Sequence, residues 1–255
     1  MNSSLSGKWV LITGASSGFG AAAARAFAAE GCRLLLGARR VDRLEKIAGE
    51  IRQPGAGHGL DVAATASVEQ FVEWARAKAG RVDMLINNAG GAHGLDPVAS
   101  GRDEDWEAMF QTNVLGLLRV TRAVLPLMIN HPGSSILSIG SVAGHTAYEG
   151  GAVYCAAKAG ERKITQALRL ELNGTGIRVG SLDPGLAETE FSTVRFKGDE
   201  EKARKVYQGV HPLTAEDVAE ALVWMASRPP HVNIDEMIIK PTDQAAIHKV
   251  FRREK

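Results

Sequence analysis

Short apolar runs alternate with longer amphipathic stretches from one end of the chain to the other. Residues 8–13, 33–37, 84–87, 135–139 and 177–182 are rich in Ile, Leu and Val, and Gly, Asp or Asn bounds most of them. Such runs predict strands buried on both faces. Between them, the spacing of apolar positions predicts helices over 21–30, 39–51, 66–79, 104–130 and 152–173, with another over 215–227. Strand and helix in alternation predict an α/β fold, a doubly wound parallel sheet covered on both sides. The segment 53–59, QPGAGHG, reads as a loop too short to be a linker between domains. With no internal repeat, low-complexity tract or long linker, the reading is one domain over 1–255. The more polar stretch 190–211 lies between a Pro-Gly turn and the 215–227 helix. It is either a surface helix pair or, taken as 186–212, a small helical lid over a substrate cleft.

Composition narrows the function. The 255 residues are 45% apolar and 23% charged, ordinary for a globular protein that buries a large core. The 30 Lys and Arg against 29 Asp and Glu leave a net charge of +1, which gives no electrostatic reason to expect nucleic acid or an anionic membrane as a partner. No apolar run approaches the ~20 residues of a membrane span. The N-terminal MNSSLSGKWV lacks a charged-then-apolar leader pattern. Cys32 and Cys155 are too few for a disulfide framework or a four-ligand zinc site. A reducing, cytoplasmic setting without a metal is expected.

The first predicted strand runs into Gly14-Ala15-Ser16-Ser17-Gly18-Phe19-Gly20 and then an alanine-rich helix. Glycines 14, 18 and 20 suit a tight turn and the close approach of a ligand, and free N–H groups at the helix start suit an anion. A tight turn with no ligand is the alternative. The second strand ends Leu36-Gly37-Ala38-Arg39-Arg40, without the acid that would accept a ribose 2′-hydroxyl, and Asp42 comes too late for that role. Two arginines there suit a 2′-phosphate instead. The expected cofactor is NADP(H), with Arg39, Arg40 and the Ser16 hydroxyl around its phosphate, although the arginines could also be solvated residues opening a helix.

Tyr154 and Lys158 stand four apart in AVYCAAKAGERKITQALRLEL, on one face of a helix. A tyrosine hydroxyl is a weak base at neutral pH unless a nearby cation stabilises its anion, and Lys158 can supply that field. Ser141 follows the strand SSILSIG, at the carboxyl edge where open α/β sheets bind ligands. Its hydroxyl could bind a substrate carbonyl oxygen. Asn87-Asn88-Ala89-Gly90 closes the preceding strand at the same rim. Asn113 interrupts the apolar QTNVLGLL, where a helix-interior Asn needs specific work for its amide.

TGASSGFG, Asp61-Val62, NNAG, Asn113, Ser141, YxxxK and Pro184-Gly185 occur in the order typical of the short-chain dehydrogenases/reductases, which the chain resembles over essentially its whole length. The resemblance implies a Rossmann-type sheet and an oxidoreductase acting on CH–OH donors. It also implies a catalytic tetrad. Tyr154 gives or takes the proton, Ser141 orients the carbonyl, Lys158 eases ionisation of Tyr154 and holds the nicotinamide ribose, and Asn113 anchors a relay water. Asp61 and Val62 would meet the adenine and Asn88, Ala89 and Gly90 the adenosine side. Pro184, Gly185 and Thr189 would meet the nicotinamide end, and the glycine loop from Gly14 through Ser17 and Phe19 the phosphates.

Glu149–Tyr154, DPGLAETEFSTVRFKGDEEKA, PLTAEDVAEAL and HVNIDEMIIKP resemble the branch containing NADP-dependent 3-hydroxy acid and serine dehydrogenases, near sulfoacetaldehyde and other small-aldehyde reductases. A small, polar, acidic hydroxy compound and its carbonyl are the expected substrate pair. The alternatives are a general small-aldehyde or sulfoacetaldehyde-type reductase and, from another class, a non-catalytic NADP(H) sensor. Arg195 is either the grip for an anionic group or a solvated side chain beside Lys197. Tyr148, His145 and Thr146 are pocket candidates, with His145 more readily a loop residue, while Cys32 and Cys155 read as core fillers. Family members are usually tetramers built on the two long helices, so a homotetramer is expected. Ala156, Ala159, Leu168 and Leu172 suit either that interface or the core. The basic tail 248–255 reads as a solvated end or a subunit contact.

Overall fold

The structure, a computed structural model, describes residues 4–129 and 131–253. The apolar runs form β1 (Trp9–Thr13), β2 (Arg33–Ala38), β4 (Met84–Asn87), β5 (Ser135–Ile139) and β6 (Arg178–Pro184), joined by β3 (Gly57–Gly59) and β7 (Glu236–Ile239) at the edges. All seven pair in parallel in the order β3-β2-β1-β4-β5-β6-β7. Side chains alternate across the pleat. Val10 and Ile12 therefore enter one core layer with Leu34, Leu36 and Ile86, while Leu11 enters the other with Leu35, Leu85 and Ile136.

Helices α1 (Gly18–Ala29) and α2 (Val41–Glu50) cover the first layer with α9 (Ala215–Ala226). The second layer is covered by α3 (Thr65–Ala79), α5 (Gly116–Val124) and α6 (Ala152–Glu171). Among the described residues, no helix is long and apolar enough to cross a membrane. The single doubly wound sheet read from the sequence is thus the one observed.

Three local expectations need correction. The segment 53–59 is not all loop. Gly57–Gly59 adds to the sheet edge by pairing with Leu36, Gly37 and Ala38, although it has no apolar side chain to signal a strand. The predicted helix 104–130 is not continuous. It comprises α4 (Asp103–Phe110), a π-helical turn over Gln111–Leu115, then α5 and a 3₁₀ turn ending at Leu127. Its predicted last residue, Asn130, lies outside the described residues. The tail is also not a free end over 248–253. Strands β8 (Gln244–Ala246) and β9 (Lys249–Val250) form an antiparallel hairpin.

That hairpin reaches the polar stretch near residue 200, which folds as α7 (Phe191–Arg195) and α8 (Glu200–Tyr207). Arg252 donates to the carbonyls of Gln208 (2.5 Å) and Val206 (3.1 Å), and Arg253 pairs with Asp243. Gln244 accepts from the Leu186 N–H at 2.7 Å. The chain therefore closes upon its own α7–α8 segment. Glu254 and Lys255 of the predicted tail lie outside the described residues.

Candidate functional site

Strand order reverses between β1 and β4, and the loops leaving their carboxyl ends diverge around a crevice. Thr13 Oγ1 accepts from the Asn88 and Ala89 N–H groups at 3.0 and 2.9 Å. The Asn88 amide donates to the carbonyls of Thr13 (2.8 Å) and Gly14 (3.2 Å). This contact requires glycine: a Cβ on Gly20 would lie 2.5 Å from Asn88 Nδ2, and one on Gly14 would lie 2.9 Å from Ala89 Cα. Gly14 and Gly18 also have φ of 65° and 50°. The result is a cavity of about 160 Å³ running from Gly14, Ser17 and Asn88 to Thr189, Tyr154 and Lys158. Phe19 and Gly90 lie on its wall, and Ser16 sits just behind it.

At the outer end, Arg40 donates to Ser17 Oγ (2.7 Å) and Ser16 Oγ (3.3 Å). It also pairs with Glu190, which Arg43 holds from the other side at 2.6 Å. Partial burial opposes ionisation of Glu190, but the two guanidinium groups hold its carboxyl below the usual range. Arg39 is exposed beside them. Asp61 follows β3. Its Oδ1 accepts from the Ala63 N–H and its own N–H donates to Ser67, while Val62 is buried against Gly116 at the start of α5.

At the inner end, Tyr154 and Lys158 lie one turn apart on α6, 8% and 6% exposed. Ser141 caps the short turn Val142–Gly144 after β5, its Oγ accepting from the Ala143 N–H at 3.1 Å. Lys158 Nζ donates to the Ile139 carbonyl (2.8 Å) and to Glu161 Oε2 (2.7 Å). Burial alone would lower Lys158, yet the Glu161 and Tyr154 charges outweigh it and raise the ammonium above its ordinary range. Asn113 falls within the π turn, a feature often found at functional sites. Its amide closes both ways on Gly91, accepting from the N–H (3.1 Å) and donating to the carbonyl (2.9 Å), and it donates to the Met109 carbonyl. The polar side chain that disrupted an apolar helix pattern therefore clamps the loop beyond Asn88.

A second cavity of about 320 Å³ opens from Tyr154 and Ser141 toward Pro184, Gly185, Phe191 and the β8–β9 hairpin, where Ile247 and Val250 line it. Arg195 points into it. The guanidinium stands 5.4, 5.6 and 5.9 Å from the ring centres of Tyr148, Tyr154 and Phe191. It donates to Tyr148 Oη (2.7 Å) and the Gly94 carbonyl (3.0 Å), which uses two of the five N–H groups an arginine carries. Burial, against the pull of Arg195, pushes Tyr148 up to about 12, so it stays a neutral phenol. Arg195 is therefore not the solvated residue of the alternative reading.

His145 turns away from this cavity to bond Asp183, a β6 carboxyl 1% exposed that burial raises despite the imidazole. Thr146 is exposed. Leu168 and Leu172 belong to the core, which leaves Ala156 alone of the four named interface candidates fully at the surface. Both cysteines are buried and unpaired, with their thiols raised by burial, Cys32 to about 12.

The arrangement places a phenol, a hydroxyl and a buried ammonium at the junction of an anion-suited cleft and a larger, partly aromatic cavity into which the Arg195 guanidinium projects. That is the equipment for proton transfer at a carbonyl or alcohol oxygen beside an extended cofactor. Sequence reading passed over Thr13, Glu161, Asp183, Phe191 and Glu190. Glu161 carried a signal, a charge three residues after Lys158 on the stripe that otherwise faces the core; Glu190 carried none, because its partners are some 150 residues away.

The family model described as short chain dehydrogenase matches residues 8–200. The NADP-dependent 3-hydroxy acid dehydrogenase YdfG of Salmonella typhi is 44% identical over 237 residues, covering 92% of this chain and 96% of that protein. Sulfoacetaldehyde reductase 2 of Chromohalobacter salexigens is 45% identical over 239 residues, covering 92% and 95%. Among solved structures, the closed form of serine dehydrogenase complexed with NADP+ superimposes with a TM-score of 0.90 at 41% identity, covering 96% of this chain and all of that one.

Proposed function

The chain belongs to the short-chain dehydrogenase family, and from that premise we propose that it is an NADP(H)-dependent enzyme interconverting a small, anion-bearing hydroxy compound and its carbonyl. The observation that carries this reading is Arg195, held in an aromatic cavity beside Tyr154 with donors to spare. A planar guanidinium suits a carboxylate or a sulfonate equally. That fits relatives named as 3-hydroxy acid dehydrogenases and as a sulfoacetaldehyde reductase.

The residues present fit the cofactor. The glycine cradle that a Cβ would fill gives room for a pyrophosphate, and Arg40 and Arg39, with the hydroxyls of Ser16 and Ser17, give a 2′-phosphate its donors. Asp61, Val62 and Asn88–Gly90 would hold the adenosine side, and Lys158, Pro184, Gly185 and Thr189 the nicotinamide side. When bound, NADP(H) supplies or accepts the hydride. The chain's own task is the proton and the oxygen. Ser141 donates a hydrogen bond to the substrate oxygen, Tyr154 gives or removes its proton, and Lys158 stabilises the phenolate. Arg195 fixes the anionic end so that the reacting carbon lies against Tyr154. The segment 186–212 acts as the lid, fastened by Glu190 on one side and the C-terminal hairpin on the other. The enzyme is assigned to the cytoplasm as a homotetramer, with exposed Phe110, Leu115, Leu118 and Leu170 on the long helices as the associating surface.

Tyr154→Phe is expected to lower kcat by about 10²–10⁴-fold while NADPH binding, read by fluorescence titration, is unchanged; surviving turnover would overturn the assignment, and turnover in the wild type excludes a pure sensor. Arg40→Ala should reduce the NADPH-over-NADH preference in kcat/KM by about 10–100-fold. In Arg195→Ala, KM for 3-hydroxypropionate or isethionate should rise about tenfold or more, with neutral aldehydes little affected; an equal effect on both removes Arg195 from substrate binding. Light scattering should return four times the 27.1 kDa chain mass, and a monomer refutes the tetramer.

A further inference from the structure

The cavity of about 320 Å³ beside Tyr154 carries more positive charge than a single anion needs. Among the described residues that line it, Arg195 and Arg252 are the charged ones, and none is a carboxylate. Neither guanidinium has a carboxylate within 4 Å among the described residues. Cations close to them in sequence are neutralised: Lys197 pairs with Asp105 at 2.7 Å, and Arg253 pairs with Asp243. Two like charges at one cavity repel each other, and a ligand bearing two anions removes that cost.

Arg252 is exposed, but its place is set. The Phe251 N–H donates to the Asp243 carbonyl and the Arg253 N–H to the Gly209 carbonyl, both at 2.8 Å. The backbone is thus fastened on either side of Arg252. Its guanidinium lies on the carbonyls of Val206 and Gln208, at the carboxyl end of α8, where a helix favours a cation. Those bonds use two of its five N–H groups, as the bonds of Arg195 to Tyr148 and Gly94 do. Leu95, Leu186, Ile247 and Val250 make much of the remaining wall apolar.

Resting on the role given to Arg195 above, we propose that Arg252 binds a second carboxylate of the substrate, which makes the substrate class a short hydroxy diacid. One carboxylate lies on Arg195, the alcohol carbon at Tyr154 and Ser141, and the second carboxylate on Arg252. The apolar wall takes the hydrocarbon that joins them. Oxidation of such a compound, 3-hydroxyglutarate for example, breaks the O–H bond and the C–H bond of the alcohol carbon. The proton goes to the Tyr154 phenolate, and the hydrogen with its electron pair goes to NADP+. Alcohol and NADP+ become the 3-oxo diacid, NADPH and one proton.

The first test needs no turnover. The NADP+-saturated enzyme is titrated calorimetrically with glutarate and with butyrate, which lack a hydroxyl to oxidise. Glutarate should bind about fivefold more tightly than butyrate, the gain from one further ion pair at an exposed site. That ratio should fall toward one in Arg252→Gln, which keeps donors for the α8 carbonyls without the charge. It should persist in Arg252→Lys, a rescue that a merely structural role of the side chain does not give. The second test compares kcat/KM for 3-hydroxyglutarate and 3-hydroxybutyrate. The diacid should lead by a similar factor, through KM rather than kcat, and lose that lead in Arg252→Gln. A wild-type ratio near one in either test, or an Arg252→Gln variant that weakens both acids equally, overturns the proposal. Failure of the reading on which it rests looks different: Arg195→Ala would then leave butyrate binding unchanged.

Discussion

One threonine hydroxyl fixes the geometry on which the rest of the site depends. Thr13 Oγ1, at the end of β1, takes the first two N–H groups of the loop leaving β4, and the Asn88 side chain returns two bonds to the end of β1. Parallel strands pair only along their lengths, so nothing in the sheet itself would keep these diverging loops at a set separation. The clasp does so, and at a separation so small that only glycine fits at positions 14 and 20. Asn113 secures the far end of the same loop through Gly91. The wall between cofactor cleft and helix layer is thus anchored twice by side-chain amides that satisfy backbone groups the sheet leaves over.

The interior behind this wall is more polar than a core needs to be. Lys158 with Glu161 and His145 with Asp183 are two buried pairs within the reach of each other's charge. Such pairs cost desolvation that apolar side chains would not, and burial raises the Asp183 carboxyl despite its imidazole partner. These two pairs fall along one line, from the cleft through α6 to β6; other buried carboxylates, Asp83 and Asp243, lie away from it.

Much of this was legible because the sheet is buried on both faces. Continuous runs such as WVLIT have few other readings, and the glycine loop, Ser141, Tyr154 and Lys158 lie at strand ends or within one helix, where spacing alone brings them to the rim. What escaped depends on distant partners. The β3 strand has no apolar side chain and exists because Leu36–Ala38 offers it an edge. The π turn adds a residue to a helix whose periodicity reads smoothly across it; only the misplaced Asn113 marked the spot. The hairpin near the C-terminus gave a basic composition that looked solvated, since the carbonyls of Val206 and Gln208 that receive Arg252 are invisible in sequence. Glu161, by contrast, was readable in principle, as a carboxylate on a stripe of core positions.

The pairing of Glu190 with Arg40 and Arg43 changes the accounting of ions when a phosphate arrives. A bare arginine pair would hold anions from solution and shed them on binding, making affinity fall steeply with added salt. Here the counterion is covalently attached to the chain, and it cannot be diluted away. For the phosphate site proposed above, binding would exchange one tethered counterion for a free ligand, with affinity correspondingly less sensitive to the salt around it.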